Sequence, residues 1–184
     1  MGRRWLCKSL SIYTPTNSYT GTIKNISTKK LTKTLICGLG NKLKRDDGIG
    51  PYVIEELGKQ ALPANISLAD FGTSGFKCAL EIGKYDKVIF IDAIKAGKQP
   101  GEIHKITPNK EDLLDSPSLS SFAVSLHESD LERILATATL IENYPKEVVI
   151  IGCEPKDISF GLTLSEEVSK AIGKIIALVL KEVQ

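Results

Sequence analysis

Two short runs of unbroken apolar residues, Val88–Ile91 and Val148–Ile151, constrain this chain more than any other feature. A run without polar alternation marks a strand covered on both faces, which happens in parallel sheets sandwiched between helices. The flanking sequence supplies the helices. From Thr34 onward apolar strand-like runs alternate with amphipathic segments: a strand over Leu35–Leu39, a helix opened by Pro51, and a strand over Ile66–Ala69. Phe76–Ile82 reads as a short helix packing through Ala79, Leu80 and Ile82. Glu102–Thr107, which alternates and follows the turn Gln99-Pro100-Gly101, reads as an edge strand. Lys110–Leu114 is at most a short helix, and the Ser-rich stretch Ser116–Ser125 is a loop. A helix follows from about Leu131, where Ser129-Asp130-Leu131-Glu132 matches a capping box. Thr163-Leu164-Ser165-Glu166 caps the last helix, whose apolar face is Val168, Ile172, Ile175, Val179 and Val183. The expectation is a doubly wound α/β fold: a mostly parallel, twisted sheet of about five strands with helices on both faces, in three layers.

Composition agrees. A chain of 184 residues that is 42% hydrophobic and 25% charged can bury a real core in one domain. Its apolar runs are far shorter than the roughly 20 residues of a membrane span. The net charge of +2 hides an asymmetry: residues 1–34 hold seven of the 24 basic residues and no acid. The remainder is therefore net acidic, which argues against a nucleic-acid partner. Residues 1–33 read as a basic, Ser/Thr-rich extension, disordered or non-essential, ahead of a single domain over 34–184. The extension lacks the apolar stretch of a secretory signal. Cys7, Cys37, Cys78 and Cys153 are scattered without a C-x-x-C, so neither a zinc site nor a disulfide framework is indicated. That usage fits a reducing cytoplasm.

In open α/β sheets, sites form at the carboxyl ends of strands. After the first strand comes Gly38-Leu39-Gly40-Asn41 running to Asp46-Asp47-Gly48-Ile49-Gly50. After the second comes Asp70-Phe71-Gly72-Thr73-Ser74-Gly75; the third closes on Asp92, and His127 precedes the long helix. The glycines fail the dinucleotide fingerprint, because Leu43 sits at its third glycine position. Asp92 is the hardest to explain as a bystander, since an acid closing so apolar a run is partly desolvated. Asp47, Asp92 and His127 together offer two oxygens and one imidazole nitrogen, a set suited to a borderline divalent transition metal with positions left open. Asp46 is assigned to the loop and the helix dipole. On that reading Asp46→Asn matters less than Asp47→Asn, in nearly matched surroundings. His104, on the edge strand, is taken as structural.

The glycine–asparagine block through Asp46-Asp47-Gly48-Ile49-Gly50, with Asp70-x-Gly72-Thr73-x-Gly75, Phe90-Ile91-Asp92-Ala93, Pro100-Gly101-Glu102-Ile103, Leu126-His127 and Gly161-Leu162-Thr163, resembles the NiFe-hydrogenase maturation endopeptidase family. The Pro-Gly-Glu-Ile stretch is similar to the branch serving hydrogenase-3-type enzymes. The resemblance implies a cytoplasmic protease that removes the C-terminal extension of a hydrogenase large-subunit precursor after nickel insertion. It places the metal ligands on Asp47, Asp92 and His127 and catalytic acids on Asp47 and Asp70. Substrate recognition falls on Gly72, Thr73 and Gly75. Nickel is then expected to come with the substrate, completing an unfinished coordination sphere. Phe71 stands where the family has a glycine. Two other readings compete. A nickel-dependent chaperone of the precursor would need the same ligands, and a peptidyl-tRNA hydrolase also begins with strand–Gly-Leu-Gly-Asn. The latter's threonine-arginine-histidine-asparagine continuation is absent. Whether a metal-activated water or an aspartate base drives hydrolysis is open at this point.

Overall fold

A computed structural model describes residues 31–108 and 130–183. The elements are β1 (Thr34–Leu39), a 3₁₀ turn (Arg45–Gly48), α1 (Ile49–Leu57), β2 (Ile66–Gly72) and α2 (Gly75–Glu81), which runs into a second 3₁₀ turn (Ile82–Lys84). There follow β3 (Lys87–Ala93), β4 (Ile103–Ile106), α3 (Asp130–Leu140), β5 (Glu147–Cys153) and α4 (Glu166–Glu182). The sheet order is β2-β1-β3-β5-β4. The first four strands run parallel, and β4 closes the edge antiparallel to β5.

The apolar runs divide between the two faces residue by residue, as strand geometry demands. Leu35, Cys37, Val88, Phe90, Val148 and Ile150 meet Cys78 and Ala79 of α2 and Leu131, Ile134, Leu135 and Ala138 of α3. Ile36, Ile89, Ile91, Val149 and Ile151 meet Ile49, Val53 and Leu57 of α1 and Val168, Ala171, Ile175 and Val179 of α4. Each Leu, Ile or Phe fully buried this way contributes about 1.5–3 kcal/mol relative to exposure. The expected three-layer, doubly wound sheet is the one observed.

Local expectations needed adjustment in four places. On α2, Ala79 and Ile82 are buried but Leu80 is 46% exposed. Residues 75, 78, 79 and 82 share one helical face, so Cys78 takes the core position and Leu80 turns to solvent. Pro51 is the third residue of α1 rather than its first, still within the turn whose N–H groups lack partners. The last helix takes Ser165, not Thr163, as its N-cap. Finally, β2 runs past Ala69 through Gly72, so Asp70 lies in the strand. The readings of Lys110–Leu114, Ser116–Ser125 and His127, and those of residues 1–30, fall outside the described residues.

Both core clusters among the described residues are built from positions between Leu35 and Val183. Residues 1–30 have no apolar periodicity that would offer a core face, so deleting them is expected to leave the thermal midpoint within about 2 °C of the full chain, well under the shift of roughly 2–8 °C for a 1 kcal/mol change. A larger fall would show that the head contributes to the core.

Candidate functional site

The crossover that sends β2 to one side of β1 and β3 to the other opens a crevice at the carboxyl ends of β1 and β3. The β1–α1 loop folds back over it. Gly40 has φ +105°, and its N–H donates to the Gly72 carbonyl at 3.1 Å, tying the ends of β1 and β2 together. Asn41 then closes a tight turn: its side-chain oxygen accepts the Leu43 N–H at 2.9 Å and its carbonyl accepts the Lys44 N–H at 2.9 Å. The 3₁₀ turn, which opens on Arg45 at φ +46°, brings Asp47 back so that its Oδ2 accepts the Asn41 N–H at 2.9 Å. The wrap is tight. A Cβ placed on Gly40 would lie 1.8 Å from the Asp47 carbonyl oxygen and 3.6 Å from Asp92 Oδ1. Gly50, at the start of α1, is equally constrained, since a Cβ there would lie 2.3 Å from the Leu39 carbonyl and 2.4 Å from that of Ile91.

The Asp47 backbone carbonyl and the Asp92 carboxylate thus both lie against Gly40. Asp92 is 6% exposed, and its Oδ1 accepts the N–H of Ala93 at 2.8 Å. Asp47 is half-buried, with no hydrogen bond to its Oδ1 among the described residues. Carboxylates are good donors for a divalent cation, and these two stand on the segments at the carboxyl ends of β1 and β3. Among the described residues no third His, Cys, Asp or Glu joins them. His127, the expected nitrogen donor, lies outside those residues. His104 sits elsewhere, on β4, with Nε2 3.9 Å from Glu154 Oε2.

Asp70 stands next door. It is exposed, and its Oδ1 accepts the Gly72 N–H at 2.9 Å. The β1–β2 register skips from Gly38↔Asp70 to Leu39↔Gly72, so Phe71 is the bulged residue. Its ring is buried in the core, and the left-handed conformation falls to Gly72, at φ +51°. Phe71 therefore replaces a glycine without straining the turn. Thr73 is exposed in the turn that follows Gly72. Gly75 has a packing role, because a Cβ there would come within 3.2 Å of Ile134 Cγ1.

Asp46 corrects the sequence reading. It is fully buried and no loose helix-dipole acid. Its Oδ2 accepts the backbone N–H groups of Lys156 and Asp157 and the Ser165 hydroxyl, each at 2.9 Å, and its Oδ1 accepts the Ser165 N–H at 2.6 Å. Asp46 and Asp47 are not in matched surroundings, so Asp46→Asn cannot be the mild control once expected. An amide there would aim donor hydrogens at donors. Glu154, not anticipated from sequence, is 6% exposed and accepts the Ala96 N–H at 2.7 Å, fixing the loop that leaves Asp92. The sequence carried only a faint sign of it, an acid directly after a buried strand.

The thiols of Cys37 and Cys153, at the strands below this crevice, are buried. Burial first, then the charges of Asp46 and Glu154, push the Cys153 thiol up to about 12. Burial also holds the Cys37 thiol well above its usual value. Neither is a thiolate nucleophile at neutral pH.

The profile of the hydrogenase maturation protease family matches residues 51–182. A protein of Methanocaldococcus jannaschii named as a hydrogenase maturation protease is 37% identical over 157 residues, covering 82% of this chain and 96% of the relative. The hydrogenase expression/formation protein HupD of Thiocapsa roseopersicina is 30% identical over 149 residues, covering 80% of this chain and 66% of its own length. The crystal structure of a hydrogenase 2 maturation peptidase from a Thaumarchaeota archaeon aligns with a TM-score of 0.65 at 36% identity, over 83% of this chain and 99% of that one. The hydrogenase maturating endopeptidase HybD from E. coli aligns with a TM-score of 0.69 at 25% identity, over 82% and 91% of the two chains.

Proposed function

Because this chain belongs to the hydrogenase maturation protease family and is a peptidase, we propose that it removes the C-terminal extension of a NiFe-hydrogenase large-subunit precursor, reading nickel already bound to that precursor. The observation that carries this reading is that the Asp47 turn and the Asp92 carboxylate both pack against Gly40, at the carboxyl ends of β1 and β3. Two carboxylates bind a free cation weakly but can join two proteins when the partner supplies the remaining bonds. Asp47 enters this role with one oxygen already fixed by the Asn41 N–H, which sets the direction of the other. Asp92 is held by the Ala93 N–H and by the burial of its strand. His127 is proposed as the third ligand.

Hydrolysis needs a base for the attacking water. Asp70 is the group available for that work: it is exposed at the end of β2, with one oxygen held by the Gly72 N–H. Gly72 and Thr73 follow it and are proposed to present backbone and hydroxyl groups to the substrate segment. Catalysis is favoured over a chaperone role because the aligned structures are peptidases, and the tRNA-ligand alternative finds no support among the relatives. Among the described residues no helix is long and apolar enough to cross a membrane, and Cys37, Cys78 and Cys153 are free thiols. The free thiols agree with the proposed cytoplasmic setting.

The test is direct. Purified protein is incubated with nickel-loaded precursor, and the precursor is weighed by intact-mass spectrometry. The expected result is a single loss of mass from the precursor's C terminus. A precursor of unchanged mass, with the protease folded and in excess, would remove the assignment.

A further inference from the structure

We propose that Asp46 is a positioning residue of this site, its buried carboxylate locking the Asp47 turn onto the connection between β5 and α4. A carboxylate offers about four lone-pair positions. Asp46 accepts four donors at 2.6–2.9 Å: Lys156 N, Asp157 N and Ser165 Oγ on Oδ2, and Ser165 N on Oδ1. None of the four donors belongs to its own loop. The main chain repeats the attachment: Asp46 N–H donates to the Asp157 carbonyl at 3.1 Å, Arg45 N–H to Gly161 O at 2.9 Å, and Gly161 N–H to Leu43 O at 2.9 Å. The Arg45 guanidinium adds an ion pair to Asp157 at 3.2 Å.

A single 3₁₀ turn whose first residue, Arg45, sits at φ +46° has little stability of its own. What holds it is the β5–α4 connection, which carries none of the proposed ligands. Asp46 and Asp47 are neighbours in that turn, and they point to different places. Asp46 reaches into the β5–α4 segment, while Asp47 returns to the Asn41 N–H above β1. Fixing the first fixes the second. Burying the charge is tolerated because all its donors are supplied and because it lies at the N-terminus of the 17-residue α4.

A purely structural role predicts something different, so the two can be separated. The Asn41 amide is a local reporter, because its hydrogen bond goes to the Asp47 carboxylate itself. In Asp46→Asn, amide exchange at Asn41 is expected to quicken at least about tenfold relative to Ile89 and Phe90 in the sheet. On nickel-loaded precursor, kcat per folded molecule should fall about 10–100-fold, the range for groups that orient ligands, with KM changed much less. The kcat arm rests on the function proposed above; the exchange arm does not. A parent protein that fails to cut would sink that function and leave the positioning claim to the exchange data. Ser165→Ala removes a single hydroxyl bond and keeps the chain foldable should Asp46→Asn unfold. It is expected to move both readouts the same way by a few fold. Exchange that rises uniformly along the chain, with kcat per folded molecule unchanged in the variants that fold, would overturn the proposal.

Discussion

Replacing Asp47 with asparagine is expected to leave the protein folded and to lower cleavage of nickel-loaded precursor by about 100-fold or more. The two halves of this expectation have separate origins. An asparagine side-chain oxygen can still accept the Asn41 N–H, and Asp47 has no other described hydrogen-bond partner on its side chain, so the turn keeps its closure. Stability should change by less than about 1 kcal/mol, the worth of one ordinary hydrogen bond. The site loses much more. A neutral amide is a poor ligand for a borderline cation, and even groups that merely orient ligands are worth 10- to 100-fold, so about 100-fold is a floor for a ligand itself. Urea unfolding and initial cleavage rates, measured on the same preparation, give both numbers. Near-normal cleavage would show that Asp47 is no ligand.

The second large effect is at Gly40. Alanine there is expected to destabilise the fold by about 2–5 kcal/mol, combining the strain of a side chain at positive φ, about 1–2 kcal/mol, with overpacking of about 1–3 kcal/mol. The collision is with backbone: the new methyl would lie 1.8 Å from the Asp47 carbonyl oxygen, at φ +105°. A flexible side chain could step aside, whereas this carbonyl cannot move without carrying Asp47 with it. Cleavage per folded molecule should fall along with stability. Gly97→Ala is the control, because Gly97 also has positive φ, at +69°, but has nothing within 4 Å of the added carbon. It should show the strain alone, about 1–2 kcal/mol, and unchanged cleavage. Denaturant midpoints and rates for both variants separate strain from collision. Equal costs at the two positions would mean the wrap around Gly40 is looser than described.

These two residues also show what could be read in advance. The order and type of the elements were legible because Val88–Ile91 and Val148–Ile151 are apolar on both faces, which only a doubly covered sheet accommodates. Asp92 was legible for the same reason, as a charge at the end of such a strand. The end of β2 was not, since the bulge at Phe71 interrupts the pattern that marks a strand. Leu80 was misplaced because in a helix as short as α2 one residue of phase decides between core and solvent. Asp46 was misread for a deeper reason. Adjacent acids look alike in sequence, but the donors that bury one of them lie 110–119 positions away. No local rule reports a partner at that distance. Glu154 was missed likewise, through its bond to Ala96, 58 positions away.

Asp47, Asp92 and His127 are proposed to inspect nickel already installed in another protein. The most direct test of this role compares two preparations of the same full-length precursor, nickel-loaded and nickel-free, under identical concentrations of this protease. Intact mass is expected to fall at the C terminus in the nickel-loaded preparation only. Equal loss of mass from both preparations would contradict it, showing a protease that reads the cut segment and is indifferent to the metal.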